Sequence, residues 1–193
     1  MKQDLFNSIR GQYGKYASWA VWNDSDRLDT QIIEDNTEIL HSRVIVLALN
    51  ISKLLTTEWS NFRSGKHDRK LINALNQSSY RGAYLTDYFK DTAEPDSKKL
   101  INAMRKNDPE VLRHTQNLLN ELRAIGATPD SLIVIMGGKS TYLYSLYLKH
   151  IQPSFPKHIC HYHYSYRGLK DEVWVEQLWS KIEVKDPTFI RPK

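Results

Sequence analysis

Asn50, Gly137-Gly138-Lys139-Ser140 and His163-Tyr164-Ser165 each stand where an apolar run of the chain gives way to polar residues, and Asp87 is the carboxylate at the end of a further expected strand. An amide, a carboxyl and an imidazole are groups that orient a water, take a proton and steady a departing anion. Asn50 both donates and accepts, which suits a base edge or a bound water, although Asn at a strand exit also commonly bonds its own backbone. Asp87, closing the run Tyr84-Leu85-Thr86, could serve as general base or hold a water, and a helix cap explains it equally well. His163 and Ser165 fall on one face of an extended segment and present donors, or one imidazole, to a ligand.

Other groupings carry weaker signals. Gly138-Lys139-Ser140 between a strand and a helix suggests a phosphate loop, but Ile133 stands where a nucleotide-binding loop needs its first glycine. What survives is one backbone phosphate held by Lys139, Ser140 and Thr141, against a plain capping role for Ser140. His158, Cys160, His161 and His163 have the donor atoms of a zinc site, yet strand alternation divides them between two faces. We therefore expect no metal and no cofactor. Arg63, Lys66, His67, Arg69 and Lys70 gather positive charge beside Trp59 and Phe62, a mixture suited to phosphate contact with base stacking, or to a solvated helix face.

The elements that would position these groups alternate. Strands are expected at Arg43 to Asn50, Ala83 to Asp87, Ser131 to Met136 and Lys157 to His163. Helices are expected at Leu28 to Leu40, Lys66 to Leu75, from Asp108-Pro109-Glu110 to a stop at Gly126, Ser140 to His150, and Leu169 to Ile182, with a loop over Ala93 to Lys99 ahead of a short helix. This order predicts an α/β fold, a three-layer α/β/α sandwich around a mostly parallel sheet of about four strands. Strand ends in such a sheet face one crevice. Residues 1–27, rich in aromatics from Tyr13 to Trp22, read as an arm docked on the core of a single domain, 1–193.

Composition narrows the class. The chain has 193 residues, 40% of them hydrophobic, enough for one substantial core. A net charge of +5 and an isoelectric point near 9.2 favour an acidic partner, nucleic acid first. The single Cys160 excludes an internal disulfide and a four-thiolate metal site. With no signal-like opening and no long apolar stretch, the expectation is a soluble, cytoplasmic, monomeric protein that does not engage a membrane.

The strand-end pattern resembles the uracil-DNA glycosylase superfamily, closest to its single-strand-selective and mismatch-specific branches. Ala48-Leu49-Asn50-Ile51-Ser52 is similar to the Gly-x-Asn-Pro motif at the family's first strand, and His163-Tyr164-Ser165 to its His-Pro-Ser loop. Trp59-Ser60-Asn61-Phe62, Tyr84-Leu85-Thr86-Asp87 and Ile133-Val134-Ile135-Met136-Gly137 resemble the intervening segments, so the similarity spans roughly residues 40 to 182. Ile51 and Tyr164 replace the motif prolines, and no aspartate adjoins Asn50.

The resemblance implies a DNA glycosylase acting on a base rotated out of the helix. Asn50 would orient the water and His163 would stabilise the leaving base. Trp59 or Phe62 would stack on the ring, with Ser52 also in the base pocket. Arg63, Lys66, Arg69, Lys139, Ser140, Thr141, Ser165 and Arg167 would hold DNA. Two other classes stay open: a catalytically silent relative that binds DNA or a modified nucleotide as a sensor or interaction module, and an enzyme acting on free nucleotides or nucleosides.

Overall fold

The computed structural model describes residues 1–192. Five strands form one sheet: β1 (Ser18–Trp19), β2 (His41–Asn50), β3 (Ala83–Phe89), β4 (Leu132–Met136) and β5 (His158–His161), in the spatial order β1-β3-β2-β4-β5. The pairs β2 with β3, β2 with β4 and β4 with β5 are parallel, and only β1 runs antiparallel, against β3. Among the described residues seven α-helices accompany them: α1 (Gln3–Tyr13), α2 (Gln31–Glu34), α3 (Arg69–Leu75), α4 (Ser97–Met104), α5 (Asp108–Ala124), α6 (Tyr142–Leu146) and α7 (Asp171–Lys185).

The architecture is the expected α/β/α sandwich, with one strand more than expected. Alternation along the strands builds two cores, one per sheet face. Ile45, Leu47, Tyr84, Ile133 and Ile135 pack with α1, α4, α5 and α6 through Phe6, Leu100, Leu118 and Leu143. Val44, Val46, Leu85, Leu132 and Val134 pack on α3 and α7 through Leu71, Leu75, Trp174 and Leu178. Buried side chains on both faces explain why these strands read as unbroken apolar runs.

Local chemistry fixes several boundaries. Helix α5 starts where Asn107 accepts the Glu110 amide at 3.2 Å, and it ends in a left-handed Gly126 with the Ala127 amide returning to Leu122. At Gly82, φ is +90° and an added Cβ would stand 2.2 Å from the Ile39 carbonyl, so only glycine lets β3 enter beside β2.

Four expectations need correction. Leu28 to Leu40 is not one helix but the single turn α2 and a 3-10 turn over Thr37–Ile39. Ser140 does not start a helix: Thr141 caps α6, which has five residues and passes into a π turn at Tyr147–Ile151. Strand β5 stops at His161, so His163 lies on the turn beyond it. Residues 1–27 are more than a docked arm, because they supply α1 and the edge strand β1 and bury Trp19 and Trp22. Among the described residues no helix is long and apolar enough to cross a membrane.

Candidate functional site

Strand β2 connects to β3 on one side, while β4 is laid on its other side, so the chain reverses direction across the sheet between β2 and β4. Crevices at the carboxyl ends of such neighbours are where open α/β sheets bind ligands. A cleft of about 530 Å³ opens there, lined by Asn50, Asn61, Asp87, Met136, Thr141 and His163 among others. Its size is within the range of small-molecule sites. All three strand-end groups singled out by sequence reach it.

Asn50 sits at the last position of β2, half-buried. Its Nδ2 donates to the backbone carbonyls of Ile51 and Glu94, both at 2.8 Å. Two carbonyls cannot donate, so the amide orientation is fixed and Oδ1 is left as the acceptor. Oδ1 has no partner among the described residues. The turn chemistry and the functional reading of Asn50 are therefore compatible: one end of the amide ties the loop and the other remains open.

Asp87 lies two residues before the end of β3 and is 2% exposed. Its Oδ2 accepts from Asn61 Nδ2 at 2.8 Å. Burial pushes the carboxyl up to about 7, against the Asn61 hydrogen bond and the charge of Lys90, which favour ionisation. It caps no helix. Asn61 is held in turn by the Tyr16 carbonyl, which takes its second Nδ2 proton at 2.7 Å, and its Oδ1 accepts from the Phe62 amide. Trp59 and Phe62, on either side of Asn61, have φ of 60° and 59°, the left-handed region that bulky residues avoid. That winding turns both aromatic rings inward.

On the opposite wall, His163 Nδ1 accepts from the Ser165 amide at 3.2 Å and lies 2.8 Å from its hydroxyl. An accepting Nδ1 places the proton of the neutral ring on Nε2, which has no protein partner among the described residues. Burial, reinforced by the charge of His67, holds the imidazole down at about 4, so it is neutral at physiological pH. Tyr164 stacks on it at 4.2 Å and meets Phe62 edge-on at 5.9 Å. Burial and the neighbouring Asp87 and Asp68 carboxyls raise the Tyr164 phenol well above its usual range.

The mouth carries Lys66 and His67, with Ser52 and Ser165 also lining the cleft. Lys66, Arg69, Lys139, Ser140 and Arg167 are exposed, but only Lys66 of these five lines the cleft itself. Thr141 lines it with its hydroxyl already used, donating to the Gly138 carbonyl and accepting from the Tyr144 amide.

Three expected site residues lie elsewhere. Trp59 is 1% exposed in the core, packed on Phe6 and Trp19, and offers no face for stacking. Phe62 is 4% exposed; it supports Tyr164 from behind and borders an adjoining recess rather than the cleft. Arg63 is fully buried, its guanidinium donating to the carbonyls of Val21, Arg27, Asp29 and Trp59, so it cannot reach a phosphate. Lys70 is likewise committed, to the Tyr166 and Leu169 carbonyls and to Asp171.

The histidine and cysteine cluster is dispersed as well. His161 is buried and bonds the Trp174 carbonyl at 2.9 Å, while His158 Nδ1 lies 3.1 Å from the Pro156 carbonyl. No group of three His, Cys, Asp or Glu among the described residues is arranged to hold a metal.

Sequence reasoning did not select Asn61, Tyr164's neighbour Asp68, or Glu94 for the site. Asp68 is 3% exposed, bonds the Gly65 amide at 2.7 Å and is raised by burial. An asparagine set between two large aromatics in an irregular stretch was the available signal for Asn61. Comparison with known proteins adds nothing to this geometry: no family model, curated protein or solved structure matches the chain.

Proposed function

We propose that the chain recognises a nucleobase rotated out of DNA and hydrolyses its N-glycosidic bond, the activity that its resemblance to the uracil-DNA glycosylase superfamily implies. One observation carries this reading. The open acceptor of Asn50 and the open donor of His163, from the first and the last parallel strand ends, face the same cleft.

The chemistry follows from those two atoms. The bond from C1′ to the base nitrogen breaks with its electron pair leaving on the base, and Nε2–H of His163 is a fixed donor for the charge that develops there. A neutral imidazole suits this role, because its Nε2–H donates without the cost of holding a buried positive charge. Asn50 Oδ1 accepts from the water that adds to C1′, and that water's second proton passes to solvent. Lys66 and Arg69, exposed on the approach, contribute to phosphate contact.

The test is base release from single- and double-stranded oligonucleotides carrying uracil, hypoxanthine or a mismatch, with Asn50→Ala alongside. Release by the native chain and its loss in the variant support the proposal, whereas equal rates in the two would remove Asn50 from the mechanism. Binding without cleavage is a second reading, favoured by the structural duty of the Asn50 amide toward Ile51 and Glu94, which accounts for Asn there without catalysis. Salt-sensitive DNA binding with no release would select it.

A further inference from the structure

The floor of the cleft is unlike its mouth. Neither amide beside the Asp87 carboxyl has a donor left: Asn61 Nδ2 gives both protons away, to Asp87 and to the Tyr16 carbonyl, and Asn50 Nδ2 gives both to Ile51 and Glu94. Two acceptors stay open, with no partner among the described residues: Asp87 Oδ1 at the bottom and Asn50 Oδ1 nearer the mouth, since Asp87 pairs with Ala48 and not with Asn50. Asp87 is 98% buried yet lines the cleft, so its free oxygen meets whatever fills the deepest part.

An extruded nucleotide enters base first, with its sugar and phosphates left at the cationic mouth. Asp87, at the bottom, therefore meets the edge of the base and not C1′, whereas Asn50, two strand positions nearer the open end, stays level with the sugar. We propose that Asp87, backed by Asn61, is the specificity-determining residue for that edge and selects a base bearing an exocyclic amino group, of the cytosine or adenine type, over an imide such as uracil or thymine. The inference rests on the reading of the cleft as a nucleobase site.

The physical reason is a mismatch cost. An amino group supplies the donor that Oδ1 requires. An imide offers one N–H between two carbonyl oxygens, and a carbonyl oxygen set against the Asp87 carboxylate puts acceptor against acceptor; buried polar groups left unpaired discriminate strongly. Protonating Asp87 would change this, because a carboxylic acid also donates and would accommodate a carbonyl. The charged or titratable groups facing the carboxyl are Lys90 beyond β3, Glu121 from α5 and Tyr164 beyond β5, with burial outweighing them and raising its pKa to about 7. Selectivity for the amino base is thus expected above pH 7 and narrows below it.

The experiment measures release and binding with oligonucleotides carrying one central cytosine, 5-methylcytosine, adenine, uracil, thymine or abasic site, at pH 8 and pH 6. The ratio of amino to imide bases is read, so that steps shared by all substrates cancel. A ratio of about tenfold or more at pH 8 that shrinks at pH 6 supports the proposal. Asp87→Asn, checked for folding by near-ultraviolet circular dichroism, should abolish both the preference and its pH dependence. The pH comparison on the native chain stands even where that variant does not fold. Preferred handling of uracil or thymine by the native chain overturns the inference and leaves the nucleobase site intact. No release, and no preference in binding for any base over the abasic site, overturns both.

Discussion

Residues 59 to 63 and residues 163 to 166 are built from the same materials, aromatic rings beside cationic or imidazole groups in irregular backbone, yet the first buries its rings and its cation in the core and sends only Asn61 to the cleft, while the second frames the cleft. The difference lies in what surrounds each. Trp59 to Arg63 runs beneath the loop that carries Ala20 to Asp29, a stretch whose carbonyls find few partners in the sheet, and Arg63 satisfies four backbone oxygens at once. The second segment leaves β5 at the open end of the sheet, where His163 and Tyr164 face a cleft instead of stranded backbone. A planar cation among aromatics is as apt for satisfying buried carbonyls as for meeting phosphates.

The contrast makes predictions of graded size. Replacing Arg63 with Met should cost about 3–5 kcal/mol in urea unfolding by leaving those carbonyls unsatisfied. Near-native stability combined with weakened DNA binding would break the contrast. Asp87→Asn should act in the opposite direction. A folded pKa raised from 3.8 to about 7 means that the native state holds a proton the unfolded chain releases. The aspartate's relative stability is intact below pH 4 and is lost as pH rises through 7, so the variant should gain over the native chain across that window, by at most about 4 kcal/mol. A stability difference that does not change with pH would show that Asp87 is not neutral when folded.

Asn50→Ala should lower base release by about a hundredfold or more, the scale of a lost positioning group. Its stability should fall by only about 1–2 kcal/mol for the two loop bonds. Activity that falls only in proportion to the unfolded fraction would reduce Asn50 to its structural role. The smallest effects belong to the surface. Lys66→Ala and Arg69→Ala should each lower the salt slope of DNA binding by about one, with little change in melting temperature. Lys70→Ala should instead loosen the loop at Tyr166 and Leu169 and leave that slope unchanged.

The parallel core was readable because strands buried on both faces have few alternatives to Val, Ile and Leu, and α5 because its start and stop signals are local. The meeting of Asn50 and His163 in one cleft followed from the sheet, since strand ends on one side of a parallel sheet face one crevice. What lay beyond reach of the sequence was long-range pairing. Strand β1 has two residues and exists only because Ser18 and Trp19 meet Leu85 and Tyr84. The burial of Lys90 depends on Glu121, 2.8 Å away and fully enclosed, where Tyr84 and Thr86 also donate to the carboxylate. Neither partner carries a local pattern that announces the other. Arg63 misled for the same reason: its neighbours in sequence are polar and basic, but its neighbours in space are carbonyls from residues 21 to 29.

The sheet order also governs when the site can come into being. Val44 on β2 waits for Leu132 on β4, and Ile133 in turn for His158, so the central pairings close loops that span much of the chain. Non-local pairings of this kind make folding slow, with the entropic cost met before the contacts that reward it. During synthesis the β2 and β3 pair must persist with one flank of β2 uncovered until β4 emerges. The wall bearing His163 follows later still. Binding competence should therefore be the last property recovered on refolding, lagging behind helix content, and a chain interrupted after β4 would have the Asn50 and Asp87 side of the cleft with nothing opposite it.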